Sequence, residues 1–179
     1  LEFRRVLFRS CNEFLTELAS AAPAPGGGGG AAMAGALAAA LASMVANLTI
    51  GKEKFAECEP EVKELLKQAE AERVRLLTLV DEDAAVFNSF MSCYKLPKTT
   101  DEEKAARTAA IRAAAKQAAT VPLNIARSSF AVLKLADRLV VSGNPGVITD
   151  AACSGLLARA ALRCAEYNVR INLGLTKDE

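Results

Sequence analysis

Apolar residues recur at helical spacing through most of the chain, and strand-like alternation never lasts. Phe14, Leu15 and Leu18 predict a short helix from about Asn12 to Ser20. Ala21–Gly30, with two prolines and five glycines, reads as a breaker. A second helix follows from about Gly30 to Ile50 without one charged residue, and Gly51 suits its stop. Pro60 fits the first turn of a third helix, which runs to about Tyr94. Val62, Leu65, Leu66, Ala69, Val74, Leu76, Leu77 and Val80 supply its apolar stripe. The turn KLPKTT ends in Thr100, an N-cap with Glu103 three positions on, the signature of a capping box. A fourth helix runs from Asp101 toward Val141, and Pro122 inside it is expected to kink or divide it. After a break at Val141–Gly146, a fifth covers roughly Val147 to Leu173, with Gly174 as its C′ residue. The pattern predicts an all-α, multihelical bundle of about five helices, several of them long. A Gly-rich loop precedes a buried Ala-rich helix, and residues 11–179 form a single domain.

The second helix is long and apolar enough to raise the question of a membrane span. Alanine is only marginally favourable in a bilayer, however, and Leu and Ile are few here. A buried central helix is the better reading, with no membrane as partner. Its small residues Ala32, Gly35, Ala36, Ala39, Ala40 and Ser43 let neighbouring backbones approach closely.

Composition narrows the chemistry. The 179 residues carry a net charge of +1, which argues against nucleic acid or an anionic membrane as the main partner. His is absent, which removes imidazole as base, proton shuttle or metal ligand. The five cysteines are scattered without a CxxC pair, so no metal site is expected. They read as reduced, mostly buried thiols of a cytoplasmic protein. Leu1–Ser10 has an apolar-basic character unlike the Ala-rich chain after it, and we expect this segment to be non-native. Without it the balance is 19 basic to 20 acidic residues, and the near-neutral reading stands.

Five groups of residues carry candidate chemistry. Gly26–Gly30 can adopt φ > 0 and approach a ligand closely, and Gly26, Gly27 and Gly28 lead into a helix N-terminus, whose free N–H groups and dipole favour an anion or carbonyl; a close-packed turn explains the same run. Asn47, Lys52 and Lys54 cluster at the far end of that helix, where Lys52 or Lys54 suits a ligand carboxylate or the reacting carbon. A solvated helix end explains them equally well. Asp83 lies one turn before Phe87 and two before Phe90, on or beside an apolar face. Burial there raises a carboxyl toward a useful acid–base range, whereas Asp81 and Glu82 are expected to face solvent. Asp150, after the Gly-Asn-Pro-Gly turn containing Asn144, reads first as an ordinary helix-start acid. Asn168 and Asn172 share one helix face, with Arg170 projecting oppositely. Amides suit the edge of a heterocycle and Arg suits a carboxylate, though helix-to-helix hydrogen bonds account for them as well.

Four stretches in order resemble the folate-dependent cyclodeaminase/cyclohydrolase family. They are Phe14–Phe55 around PAPGGGGGAAMAGALAAALASMVANLTIGKEK, LVDEDAAVFNSFMSCYKLPK, GNPGVITDAACSGLLARAAL and NVRINLGLTKDE. The family's loop usually reads like SPTPGGGS. Here Ala22, Ala24 and Gly29 stand where hydroxyl residues are expected, which moves the loop's role to its backbone. The resemblance implies an enzyme of folate one-carbon metabolism acting on a tetrahydrofolate derivative as substrate, with no permanently bound cofactor and commonly as a homodimer. It brings Asp150 and Asn144 into contention and implies catalytic roles for Asp83, Asp150 and Lys52. Substrate contacts are implied for Gly26, Gly27, Gly28, Asn47, Lys54, Asn144, Asn168, Arg170 and Asn172. Hydrolysis of 5,10-methenyltetrahydrofolate to 10-formyltetrahydrofolate is the expected reaction, since the chain carries no formimidoyl-transfer domain. Ammonia-releasing cyclodeamination and non-catalytic folate binding are the alternatives.

Overall fold

A computed structural model describes residues 11–176. Its elements are α1 (Cys11–Leu18), α2 (Gly27–Asn47), α3 (Glu59–Cys93), α4 (Asp101–Ala118), α5 (Thr120–Ser142) and α6 (Ile148–Gly174). Two single 3₁₀ turns, Glu53–Phe55 and Pro145–Val147, complete the order, and no strand occurs among the described residues. The expected segment Leu1–Ser10 lies outside the described residues.

The bundle is built around α2. Ala32, Ala38, Ala39, Ala42, Val45 and Ala46 are wholly buried, and α3, α5 and α6 pack on it. Helices this poor in bulky residues gain packing by coming close. A Cβ at Gly35 would stand 3.0 Å from both Leu76 Cδ2 and Ser129 Oγ, so glycine sets how tightly α3 and α5 approach. On α6 the buried line is Ala151, Ser154, Ala158, Ala161 and Ala165, alternating steps of three and four. Ser154 Oγ donates to Ala38 O at 2.8 Å, tying α6 to α2 and satisfying a hydroxyl that would otherwise be buried alone. Composition alone allows Gly27–Asn47 to cross a membrane, but most of its surface is packed inside the bundle.

Asp83 on α3 and Asn168 on α6 reach the start of α2, while the starts of α3 and α6 meet its end. Both helices therefore run antiparallel to α2, and α5 runs with it. One end of the bundle carries the N-terminus of α2, and the opposite end carries its C-terminus.

Local expectations met the structure in detail. Thr100 caps α4: its Oγ1 accepts from Glu103 N–H at 3.2 Å, and Glu103 Oε2 accepts from Thr100 N–H at 3.1 Å. Thr100→Ala is expected to lower stability by about 1 kcal/mol, read as a fall in melting temperature with no change in ligand affinity. Pro122 does divide the fourth helix: Ala119 closes α4 and precedes α5, so six α-helices stand where about five were expected. Gly51 leaves the helical line with φ 76, and its N–H donates to Glu59 Oε2 at 3.0 Å. Gly174 stays helical, and Leu175 is the C-cap residue. Leu15 and Val74, both expected to face inward, are more than half exposed, and the cysteines, expected to be mostly buried, are not: Cys11, Cys153 and Cys164 are exposed, and Cys58 and Cys93 are half-buried.

Candidate functional site

The glycine run is not a loop. Only Gly26 lies outside α2, as its N-cap with extended backbone; Gly27–Gly30 form the first helical turn, and none has positive φ. Backbone freedom is therefore not why glycine stands here. A Cβ at Gly28 would lie 2.2 Å from Asp83 Oδ1 and 2.6 Å from Asp83 Cγ. The missing side chain is the space in which the Asp83 carboxyl sits against the helix N-terminus.

Burial pushes the Asp83 carboxyl above its ordinary range, and the Gly29 N–H, which favours the charged form, offsets part of that rise. Asp83 forms part of a cleft of about 260 Å³. The cleft is lined by Pro23, Ala24, Gly26, Gly27, Gly28, Asp83, Val86, Phe87, Phe90, Ala118, Asn168, Ile171, Asn172 and Leu175. Asp83 is the only group among them that titrates in the ordinary pH range. Two amides stand opposite it. Asn168 Nδ2 donates to Cys164 O at 2.9 Å, and Asn172 Nδ2 donates to Ala118 O at 3.2 Å.

The structure thus brings together Gly26, Gly27, Gly28, Asp83, Asn168 and Asn172. Arg170 is on the same helix but outside the cleft lining, exposed and paired with Glu166. The remaining candidates lie at the other end of α2, about 30 Å away by helix length. Asn47, Lys52 and Lys54 are exposed there, with Lys54 Nζ 4.7 Å from the Phe55 ring centroid. Asn144 is a structural clamp. Its N–H donates to Thr49 Oγ1 at 2.9 Å, its Nδ2 donates to Leu48 O at 3.1 Å, and its Oδ1 accepts from Gly146 N–H at 3.0 Å. Asp150 sits half-buried in the first turn of α6, at that same end. Within one chain, Lys52 and Asp150 cannot share a site with Asp83, so the expectation that these three act together is corrected for a single chain. Sequence periodicity carries no information about which ends of antiparallel helices coincide. Asp81, expected in solvent, is half-buried; Glu82 is exposed as expected.

Sequence reading missed the wall formed by Ala118, Ile171 and Leu175. These residues carry no chemical signal, and the α4–α5 junction and the last turns of α6 bring them together. Of the positions where the resemblance expected hydroxyls, Ala24 lines the cleft, and Gly29 presents its N–H to Asp83.

Such a site defines a class: helical bundles that hold one protonatable carboxyl at a helix N-terminus, inside an apolar cleft edged with amides. The chain belongs to the formiminotransferase-cyclodeaminase family, whose model matches residues 10–179. It is 49% identical over 159 residues to a methenyltetrahydrofolate cyclohydrolase of Methylorubrum extorquens, an alignment spanning 89% of this chain and 76% of that protein. It is 33% identical over 174 residues to the formimidoyltransferase-cyclodeaminase of Sus scrofa; that alignment covers 97% of this chain and 32% of the longer protein. The crystal structure of a formiminotetrahydrofolate cyclodeaminase from Thermotoga maritima has the same fold, with a TM-score of 0.83 and 31% identity. That match covers 94% of this chain and 80% of the other.

Proposed function

We propose that this protein is a methenyltetrahydrofolate cyclohydrolase, an enzyme of folate one-carbon metabolism that acts in the cytoplasm. The observation that carries the chemistry is the half-buried Asp83 carboxyl at the start of α2, with its proton affinity raised by that burial. The identity to a cyclohydrolase over most of both chains supports the choice of reaction. Asp83 takes a proton from the water that adds to the cationic methenyl carbon. It returns that proton to N5 as the ring C–N bond opens, and the hydroxyl proton leaves to solvent with 10-formyltetrahydrofolate as product. A carboxyl with raised proton affinity suits both transfers. The cleft lies below the range of about 300–1,000 Å³ that encloses a drug-sized ligand, so it takes one ring system of a folate while the remainder lies across the surface.

Supplying 5,10-methenyltetrahydrofolate and 5-formiminotetrahydrofolate separately tests this reading. Loss of methenyl absorbance above the uncatalysed rate is the expected result. Ammonia release without methenyl hydrolysis makes the protein a cyclodeaminase instead, and binding without turnover makes it a folate-binding protein.

We further propose that the protein acts as a homodimer. Leu37 and Met44 on α2 and its C-cap residue Leu48 form a stripe, 53%, 41% and 38% exposed, along a helix that bears no charge. Antiparallel pairing of two such stripes would bring the Lys52 end of one α2 toward the Asp83 end of the other. Leu37→Glu is expected to shift sedimentation to the monomer. If Lys52 acts across that interface, mixing inactive Asp83→Asn and Lys52→Ala chains restores activity. Two variants that stay inactive when mixed would remove Lys52 from the site.

A further inference from the structure

We infer that Pro122, which lies outside the cleft, is a positioning residue: it frees the Ala118 carbonyl that turns the Asn172 amide so that its oxygen faces the ligand. The inference rests on the folate reading above and names the edge of the ligand that the cleft recognises.

In an uninterrupted helix the carbonyl of Ala118 would accept from the N–H of residue 122. Proline has no N–H, and Pro122 is fully buried in the first turn of α5. Helical bonding continues on either side: Ala119 N–H donates to Ala115 O at 3.0 Å, and Leu123 N–H donates to Ala119 O at 3.2 Å. A single carbonyl is thereby left over, and Ala118 borders the cleft. Asn172, on α6, supplies the replacement donor.

A carbonyl oxygen can only accept, so the amide must offer its nitrogen there and direct Oδ1 elsewhere. Asn168 is fixed by the same logic through the Cys164 carbonyl one turn back on its own helix. The hydrogen bonds of both asparagines run through Nδ2, which leaves each Oδ1 to the cleft. Both asparagines border the cleft, so its amide wall is a pair of acceptors with fixed orientation. An acceptor pair recognises an edge with N–H donors. The 2-amino group and N3–H of the reduced pterin ring form such an edge; a carboxylate does not. The cleft therefore takes the pterin ring, and the glutamate end lies outside it.

Calorimetric titration with 5-formyltetrahydrofolate, and with its analogue carrying methyl in place of the 2-amino group, tests this. The proteins are wild type, Pro122→Ala, Asn172→Ala and the double variant. Asn172→Ala is expected to raise Kd about tenfold. Pro122→Ala restores a backbone N–H that competes for Ala118 O. It is expected to raise Kd at least about threefold while the variant still unfolds cooperatively, its melting temperature lowered only by the lost packing of the buried ring. The double variant is expected to bind no more weakly than Asn172→Ala alone, because both changes disable one device. The wild type is expected to prefer the 2-amino ligand by about tenfold, and Asn172→Ala to lose most of that preference. A wild-type Kd in Pro122→Ala, or full additivity in the double variant, overturns the inference alone. A wild type that binds no folate overturns the folate reading and this inference together.

Discussion

Asp83→Asn is expected to lower turnover at least tenfold, about 1.4 kcal/mol of barrier, while making the folded protein more stable at neutral pH. The two effects share one cause. Burial raises the proton affinity of the Asp83 carboxyl in the folded state above its value in the unfolded chain. Between those two values the native protein holds one more proton than the unfolded protein, so this group's contribution falls as pH rises through that window. Above the window the wild type carries a partly buried charge, and an amide in its place does not. The amide still accepts from Gly29 N–H but can neither take nor return a proton. Chemical denaturation at several pH values reads the stability difference: present at pH 7 and vanishing below about pH 3, where the wild-type carboxyl is neutral in both states. Steady-state rates on methenyltetrahydrofolate read the other half. Wild-type turnover in Asp83→Asn would remove carboxylate catalysis from the account, and an unchanged stability profile would remove the buried charge.

Gly28→Ala is expected to abolish the site although it adds a single methyl group. The added Cβ would overlap the Asp83 carboxyl at 2.2 Å, so the carboxyl must leave its place against the helix start. Relief requires either expulsion of the carboxyl into the cleft or a shift of α3 from α2, at a cost of about 1–3 kcal/mol. Gly27→Ala, one residue earlier, meets nothing nearer than Asn168 Nδ2 at 3.5 Å, an ordinary contact. It is expected to fold as well as the wild type or better, since alanine favours a helix over glycine by up to about 1 kcal/mol. Measuring melting temperature and folate affinity for the pair separates two explanations. If both variants fail, the run is needed for backbone freedom; if only Gly28→Ala fails, it is needed for space.

The legible parts of the site follow from local spacing. Asp83 one turn before Phe87 and two before Phe90 announces a carboxyl beside apolar residues. Asn168 and Asn172 four apart announce two amides on one face. Pro122 announces a break, and Thr100 with Glu103 announces a capped start. Each of these is set within two helical turns, where geometry is fixed by the period of the helix itself. The glycines were read for conformational freedom, because the residue they make room for is more than fifty positions away in sequence. Lys52 and Asp150 were grouped with Asp83 because nothing local distinguishes the two ends of α2.

By itself, then, the sequence determined an all-helical bundle with a charge-free central helix, its breaks and caps, the exclusion of imidazole chemistry and the resemblance to a folate-dependent family. All but the last follow from composition, periodicity and short-range backbone chemistry; the resemblance rests on four stretches of residues read in order. Only the tertiary structure decided that Gly28 houses Asp83, that the Ala118 carbonyl left free by Pro122 orients Asn172, and that the cleft forms at the start of α2, with Lys52 and Asp150 at its other end. Those relations depend on how antiparallel helices align end to end. Side chains from distant segments fix that alignment, and no local pattern records it.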